Sequence, residues 1–557
     1  MSLLNQRVRG GVLIAAILCC FVVPPSPAVA ARHVFVGLQR DGVAGVTGLA
    51  FAFGIGMSPD GQHLYVGDSF VVNRLTRFTR DLTTGGILFD EVAFDAGMIR
   101  FAVSPDGLSV YGQGASRIHV FSRDALTGAL TLVEDEVQGG SDLAVSPDGL
   151  HVYQSSGAGL VRAYDRDGIT GALTFIEEHE DGVSGVDGLD VANGIVVSPD
   201  GEHVYVSASG DHAIAVFSRN AGTGELTFVE FQQEGMGGVD GLITPEGVRV
   251  SPDGKHVYAS GASGGTGGVA AFSRDAGTGA LTFLAHATGG GAGRGRLALS
   301  PDGTHVYLLK NSSMGIYTRD SVSGALVFEE VLFDGLGGYD GLGSPEDVVV
   351  SPDSRHVYVA AGESTVAAFQ RVHVACSPAP LGGCFAPTVS QKALLVVKDN
   401  ATDAKDKLVW KWLKGEAVTL GDFGDPPATA NDYALCVYDG TANPQPIAEL
   451  LAPAGGGCGK AADGGGVACW QPLATKGFRY KRKDTHPDGV VAAKLLAGGA
   501  GSAKIVLKAK KDFTPTPGVP VTLPVTVQLQ NAAGTCWSAT YSAALRNADG
   551  LFKAKAD

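Results

Sequence analysis

Five charged residues stand where this chain otherwise places small apolar ones: Arg100, Asp142, Arg249, Arg296 and Asp347. Each lies two or four positions before the serine of a recurring Ser-Pro-Asp-Gly or closely related motif, at positions filled elsewhere by Gly, Ala or Val. A set of arginines can orient a carboxylate or stabilise an oxyanion through charge-assisted hydrogen bonds. An aspartate beside them could act as a base towards water. Such a cluster would suit a small acidic or carbohydrate-derived ligand. The same five residues could also neutralise one another as ion pairs that close a channel. A second group consists of carboxylates interleaved with glycines in four loops, with Asp181, Asp187, Asp240, Asp334 and Asp340 as calcium candidates. Carboxylate oxygens are the hard ligands calcium takes, although the spacing is not that of an EF-hand and glycines equally serve tight turns. The chain has no CxxCH, HExxH or P-loop sequence, so no other cofactor is expected.

These residues are carried by a repeat. The turn recurs at Ser58, Ser104, Ser146, Ser198, Ser251, Ser300 and Ser351, at spacings of 46, 42, 52, 53, 49 and 51 residues. Around each turn lie short runs rich in β-branched and aromatic residues, as in Gly194–Ser198, His203–Val206, Ala213–Phe217 and Leu226–Glu230. Pro-Asp-Gly pre-sets the turn and supplies its positive φ. Four antiparallel strands at this period predict one propeller blade per copy, and seven copies predict a seven-bladed ring. The residues one and three before each serine, such as Val197 and Ile195, are uniformly large and apolar and should pack between blades. The alternate positions should face the channel, which gathers the five charges around its loop-rich end.

The ends of the repeat predict how the ring closes. The seventh copy stops after Val366–Gln370 without a fourth strand. His33–Val36 followed by Leu38–Gly42 aligns with Leu226–Val229 followed by Phe231–Gly235, so the first strand should complete the last blade. Before it, Arg7 and Arg9 precede the apolar run Gly11–Val23 and the small-residue stretch Ala28–Ala30. Residues 1–30 therefore read as a secretory signal cleaved near Ala30, too short for a membrane span. A lipoprotein signal at Cys19 or Cys20 is disfavoured, because a small residue should precede the lipidated cysteine.

Composition divides the remainder into a propeller at 31–375 and a β-rich domain at 376–557. The first has two lysines, 18 arginines and a net charge of −22; the second has 17 lysines, three arginines and a net charge of +5. An acidic ring repels phosphate, and the second segment mixes both signs, so nucleic acid is excluded as a partner. Alternating runs at Ala393–Lys398, Lys407–Lys414, Tyr433–Tyr438, Lys504–Lys510 and Val521–Leu529 predict a β-sandwich. Its six cysteines in an exported chain predict three disulfides. Fifteen pairings exist; short loops favour Cys376–Cys384 and Cys458–Cys469, which leaves Cys436–Cys536.

Residues present in nearly every copy read as structure. The histidines His63, His151, His203, His256, His305 and His356 follow the turn, and arginines from Arg80 to Arg371 end each third strand. With the aspartates that follow them, such as Asp81 and Asp124, the arginines should pin the next turn. The SPDGxHVYV…VFSRD…TGALTFVE pattern over residues 32–371 resembles the lactonase-type seven-bladed propellers related to 6-phosphogluconolactonase-like and YVTN-repeat proteins. The segment from Cys376 onward is similar to cysteine-containing accessory domains of exported bacterial proteins. The first resemblance implies the propeller fold, and for some family members the opening of lactones. Two roles follow as expectations. One is an exported scaffold that binds a ligand, a surface protein or a glycan across its loop-rich face. The alternative is a periplasmic or secreted lactonase acting on a sugar-acid or related lactone at the channel mouth, with Arg100, Arg249 and Arg296 assisting Asp142 or Asp347.

Overall fold

The computed structural model describes residues 33–557, apart from short stretches at 69–73, 115, 137, 290–294, 337, 373–375, 378, 401–404, 428–430, 442–445, 455–468, 483–489 and 511–518. The expected signal segment, with Cys19, Cys20 and Ala30, lies outside the described residues.

Seven four-stranded antiparallel sheets follow one another along the chain. Blade 4 shows the plan: Ala192–Val197 innermost, then His203–Ala208, Ala213–Arg219 and Leu226–Gln233. The turn glycine between its first two strands, Gly201, has φ +78, which an L side chain rarely adopts. Blade 7 combines Pro345–Val350, His356–Ala361 and Thr365–Arg371 with His33–Arg40, which pairs antiparallel to the third strand from His33↔Arg371 to Arg40↔Thr365. The N-terminal strand thus closes the ring, as the alignment predicts. Apolar clusters lie between neighbouring blades; one joins Val206 and Phe217 of blade 4 to Tyr153 and Val161 of blade 3.

The repeated arginines do not act on the turn that follows them. Each reaches the preceding blade. Arg123 of blade 2 donates to Tyr65 Oη (2.8 Å), to Asp60 Oδ2 (2.9 Å) and to His63 Nδ1 (2.9 Å), all in blade 1. Tyr65 Oη in turn donates to Gly128 O of blade 2 at 2.8 Å. Arg219, Arg274, Arg319 and Arg80 make the same three contacts, the last across the ring closure to Asp353, His356 and Tyr358. Arg166 meets Ser109 where the other blades present histidine. A guanidinium can only donate, so each contacted histidine accepts and carries its proton on Nε2. Burial, followed by the adjacent arginine, pushes His63, His151, His203 and His256 below the usual histidine range, which keeps them neutral. The aspartates after the arginines serve locally: Asp124 Oδ1 accepts the N–H groups of Leu126 and Thr127.

The second unit is a sandwich of an eight-stranded and a four-stranded sheet. Alternation in strands such as Ala503–Lys510 turns one face inward, where Trp410, Trp412, Trp470 and Trp537 lie fully buried among aliphatic side chains. These are all four tryptophans of the chain. The sandwich packs on the closing blade through Val34 and Val372 against Ala434, Tyr438 and Leu451. The Gln370 amide also donates to Ala454 O.

The disulfides correct the pairing read from loop length. Cys376 bonds Cys436 and Cys384 bonds Cys536. The segment between Cys376 and Cys384 does not fold back on itself. It runs along the four-stranded sheet, with Ser377 N donating to Gln530 and Leu381 N to Gln528, so its two cysteines reach different strands. Cys469 is also disulfide-bonded, whereas Cys458, its expected partner, lies outside the described residues.

Candidate functional site

The innermost strands surround a cavity of about 440 Å³ along the propeller axis. All seven blades line it, so alternation within each first strand decides what the cavity meets. Four positions before the turn serine, the ring reads Gly54, Arg100, Asp142, Gly194, Gly247, Arg296 and Asp347. Two positions before it, the ring reads Gly56, Ala102, Ala144, Val196, Arg249, Ala298 and Val349. The first ring lies nearer the connections between blades, and the second nearer the Ser-Pro-Asp-Gly turns. Arg100, Asp142, Arg249 and Asp347 line the cavity, and Arg296 joins them through Asp142.

Their bonding separates the five. Arg296 reaches from blade 6 to Asp142 of blade 3, Nη1 to Oδ2 at 2.9 Å, with both side chains 8% exposed. This pair spans the ring. Asp142 Oδ1 also accepts Leu143 N at 3.0 Å. Asp347 accepts Val348 N (3.0 Å) and Ile55 N of the next blade (3.2 Å). Arg100 lies over the Phe53 ring, 4.9 Å from its centroid, and donates to backbone carbonyls of Phe53 and Ile99. Its Nε is buried without a hydrogen-bond partner. Burial and then the proximity of Arg296 push the Arg100 pKa down to about 10, which leaves it a cation at neutral pH. Arg249 donates to Val248 O at 2.9 Å. Among the described residues no carboxylate forms an ion pair with Arg100 or Arg249.

Glu346 and Phe53 also belong here and were not among the sequence candidates. Burial, with neighbouring Glu246 and Asp347, raises the Glu346 pKa above the usual carboxylate range. Phe53, Glu246 and Glu346 occupy one repeat position, five before the serine, which reads Ile99, Ser141, Asn193 and Gly295 in the other blades, so the repeat has no rule there for them to break.

The loop carboxylates divide differently. In four loops the first acid accepts the N–H of a leucine eight residues on: Asp41 from Leu49, Asp181 from Leu189, Glu234 from Leu242 and Asp334 from Leu342. Two loops bring three acids within reach of one point, Asp181 and Asp187 with Asp211, and Asp334 and Asp340 with Glu363. Burial, followed by nearby acids, raises Asp211. Asp240 instead faces His286 at 4.0 Å. These carboxylates act visibly as loop staples, since each of the four leading acids already holds a backbone N–H.

Residues 116–278 match the family model described as SMP-30/Gluconolactonase/LRE-like region, a stretch from the third strand of blade 2 to that of blade 5. With the seven-bladed ring, this match is consistent with a lactonase-type propeller. No curated protein matches the chain. Similar solved structures include a Bacteroides fragilis protein whose name refers to 6-phosphogluconolactonase (17% identity, TM-score 0.45, covering 54% of this chain and 94% of that one). Another is the periplasmic gluconolactonase of Pseudomonas aeruginosa (18% identity, TM-score 0.43, covering 54% and 96%). A third is the hydrazine synthase of Kuenenia stuttgartiensis (19% identity, TM-score 0.43, covering 59% and 96%). A fold does not by itself define chemistry, which has to be argued from the site.

Proposed function

We propose that this protein is an exported, mainly non-catalytic propeller that binds a small anionic ligand in its central channel. The single observation that carries this reading is the pair of cavity arginines, Arg100 and Arg249, which form no ion pair with a carboxylate among the described residues. A carboxylate entering the channel would give the two guanidiniums a direct ion-pair partner. The two candidate bases are already engaged, Asp142 by Arg296 and Asp347 by two backbone N–H groups. No histidine is among the described residues that line the cavity. Disulfides in the sandwich and the expected signal support a periplasmic or extracellular location. The sandwich, fixed to the closing blade, would serve as an accessory or tethering module.

A second reading, hydrolysis of a lactone at the same channel, is favoured by the family match over residues 116–278. Both are tested by incubating the protein with a panel of lactones and their open acids while recording turnover and the shift in melting temperature. Binding of acids that Arg249→Ala abolishes, without turnover, supports the first reading. Turnover lost in folded Arg249→Ala and Asp142→Ala would replace it with the second.

A further inference from the structure

The two signs of charge that mix along the sequence of the second unit are sorted by its fold. The eight strands of its larger sheet hold 11 lysines, two arginines and no Asp or Glu. None of these cations is buried. In the strand Ala503–Lys510 the alternate apolar residues turn inward, so Lys504, Lys508 and Lys510 stand on the outer face. Strand register carries that face across the sheet. Lys508 lies opposite Val409, Val506 opposite both Lys411 and Lys494, and Lys494 opposite Arg479. Among the described residues only Arg546 of these cations forms an ion pair, with the exposed Asp549. Asp399 and Asp406 adjoin Lys398 and Lys407 at one margin, but no residue of the rows through Lys411 and Lys508 is acidic.

Like charges placed directly opposite one another weaken a sheet. Lys398↔Lys407, Lys407↔Lys510 and Lys494↔Arg479 are such pairs, and an anionic partner laid on the face would relieve their repulsion. Layer order limits the shape of that partner. The four-stranded sheet packs on the closing blade through Ala434 and Tyr438, so the outer face of the eight-stranded sheet looks away from the propeller. Stacked sheets lie about 10 Å apart, more than the roughly 8 Å over which charges act at physiological salt. A plane touching this face therefore stays clear of the acidic propeller, whereas a long chain overhanging the sandwich would meet it. A twisted sheet offers a plane chiefly its middle strands. Between the lysines these present only short aliphatic side chains, such as Val506, Leu413 and Leu496. They offer no aromatic ring to stack on a base or sugar, and no amide or hydroxyl to read one.

We propose that the outer face of the eight-stranded sheet docks the protein on an anionic lipid surface. The proposal rests on the tethering role given to the sandwich above and is independent of the channel ligand. Each lysine held near such a surface strengthens binding by about fivefold, so Lys411, Lys494, Lys504 and Lys508 together suffice for stable docking.

The test is co-sedimentation of the purified protein with vesicles of phosphatidylcholine alone and of phosphatidylcholine mixed with phosphatidylglycerol. The expected result is binding to the mixed vesicles only, released by raised salt. Lys411→Gln, Lys494→Gln and Lys508→Gln combined should weaken it roughly a hundredfold. If that variant does not fold, Lys494→Gln and Lys508→Gln singly should each weaken it about fivefold. Lys494→Gln should do so with no loss of melting temperature, because it relieves the pairing with Arg479. Lys255→Gln, in a propeller turn, should leave binding unchanged. Equal binding to both vesicles, or binding that neither salt nor these sheet substitutions weaken, overturns the inference. Binding to heparin, an anionic glycan, but not to the mixed vesicles, and lost in the same variants, overturns the lipid partner and leaves the tethering role standing. Binding to neither overturns the inference and the tethering role together.

Discussion

Replacing Arg296 by alanine offers the most direct test of how the channel charges are held. The wild-type pair places Arg296 Nη1 2.9 Å from Asp142 Oδ2, with each side chain 8% exposed. Removing the arginine leaves Asp142 with one backbone donor, Leu143 N, and no ion-pair partner in a buried ring that still carries Arg100 and Asp347. Breaking a buried pair from one side costs about 3–5 kcal/mol, because the remaining ion is uncompensated. The cavity beside it admits some hydration, so about 3 kcal/mol is expected here. Asp142→Ala should cost a similar amount, since Arg296 would keep a long contact to Asn193 O at 3.5 Å. The double substitution removes both ions, and desolvation with them, so it should lie within about 1–2 kcal/mol of wild type. Urea unfolding of the four proteins yields the cycle. Single variants within about 1 kcal/mol of wild type, or a double variant as unstable as the two losses added, would refute the reading of Arg296–Asp142 as a coupled buried pair.

Two other outcomes follow from the scaffold. Asp253 is held at a pKa of about 2: burial opposes this, but hydrogen bonds from Ser251, Arg319 and Lys255 N outweigh it. Asp60, Asp106, Asp148, Asp200, Asp302 and Asp353 are depressed for the same reasons. With folded values below the unfolded 3.8, their stabilisation is complete above about pH 4 and lost towards pH 2. Acid unfolding monitored by circular dichroism should be steep in that window, and Asp253→Asn should lower the proton uptake by about one; an unchanged uptake contradicts the assignment. Peptide mapping of the oxidised protein should recover Cys376–Cys436 and Cys384–Cys536. Their separations of 60 and 152 residues predict losses of about 4 and 5 kcal/mol when each is replaced by a serine pair, and equal, negligible losses would contradict the loop-entropy account.

Much of the fold was legible because the chain states it seven times. Repetition fixed the blade count, the strand order and the closing role of His33–Arg40 without any appeal to distant contacts. Repetition also sorted His63, Arg123 and their equivalents as structural. It did not disclose that Arg123 reaches Asp60, because a contact between blades links residues 63 apart and the motif looks identical whichever turn the arginine serves. The disulfides failed for a related reason. Loop length favours near neighbours, but the strand pairing that carries Cys384 to Cys536 is set by a sandwich core that no local pattern encodes. The channel charges were visible as departures from the repeat, whereas the bond of Arg296 to Asp142, 154 residues away, needed the ring to be closed.

Packing between blades explains why the departures occur where they do. At Gly54 an added Cβ would stand 2.5 Å from the Ile99 carbonyl oxygen, so that blade has no room for a channel side chain at this level. Gly194 is held similarly, with Ser207 Oγ at 2.8 Å. Gly247 differs: its nearest neighbours are 3.6 Å away or more, and one of them is Arg296 Cδ. The first two glycines are thus demanded by the scaffold, while Arg100, Asp142, Arg296 and Asp347 stand in blades that leave space for a side chain. Seven near-identical strands therefore do not offer seven equivalent sites. The lateral fit of the blades decides which can carry charge, and the chemistry of the channel is built from those.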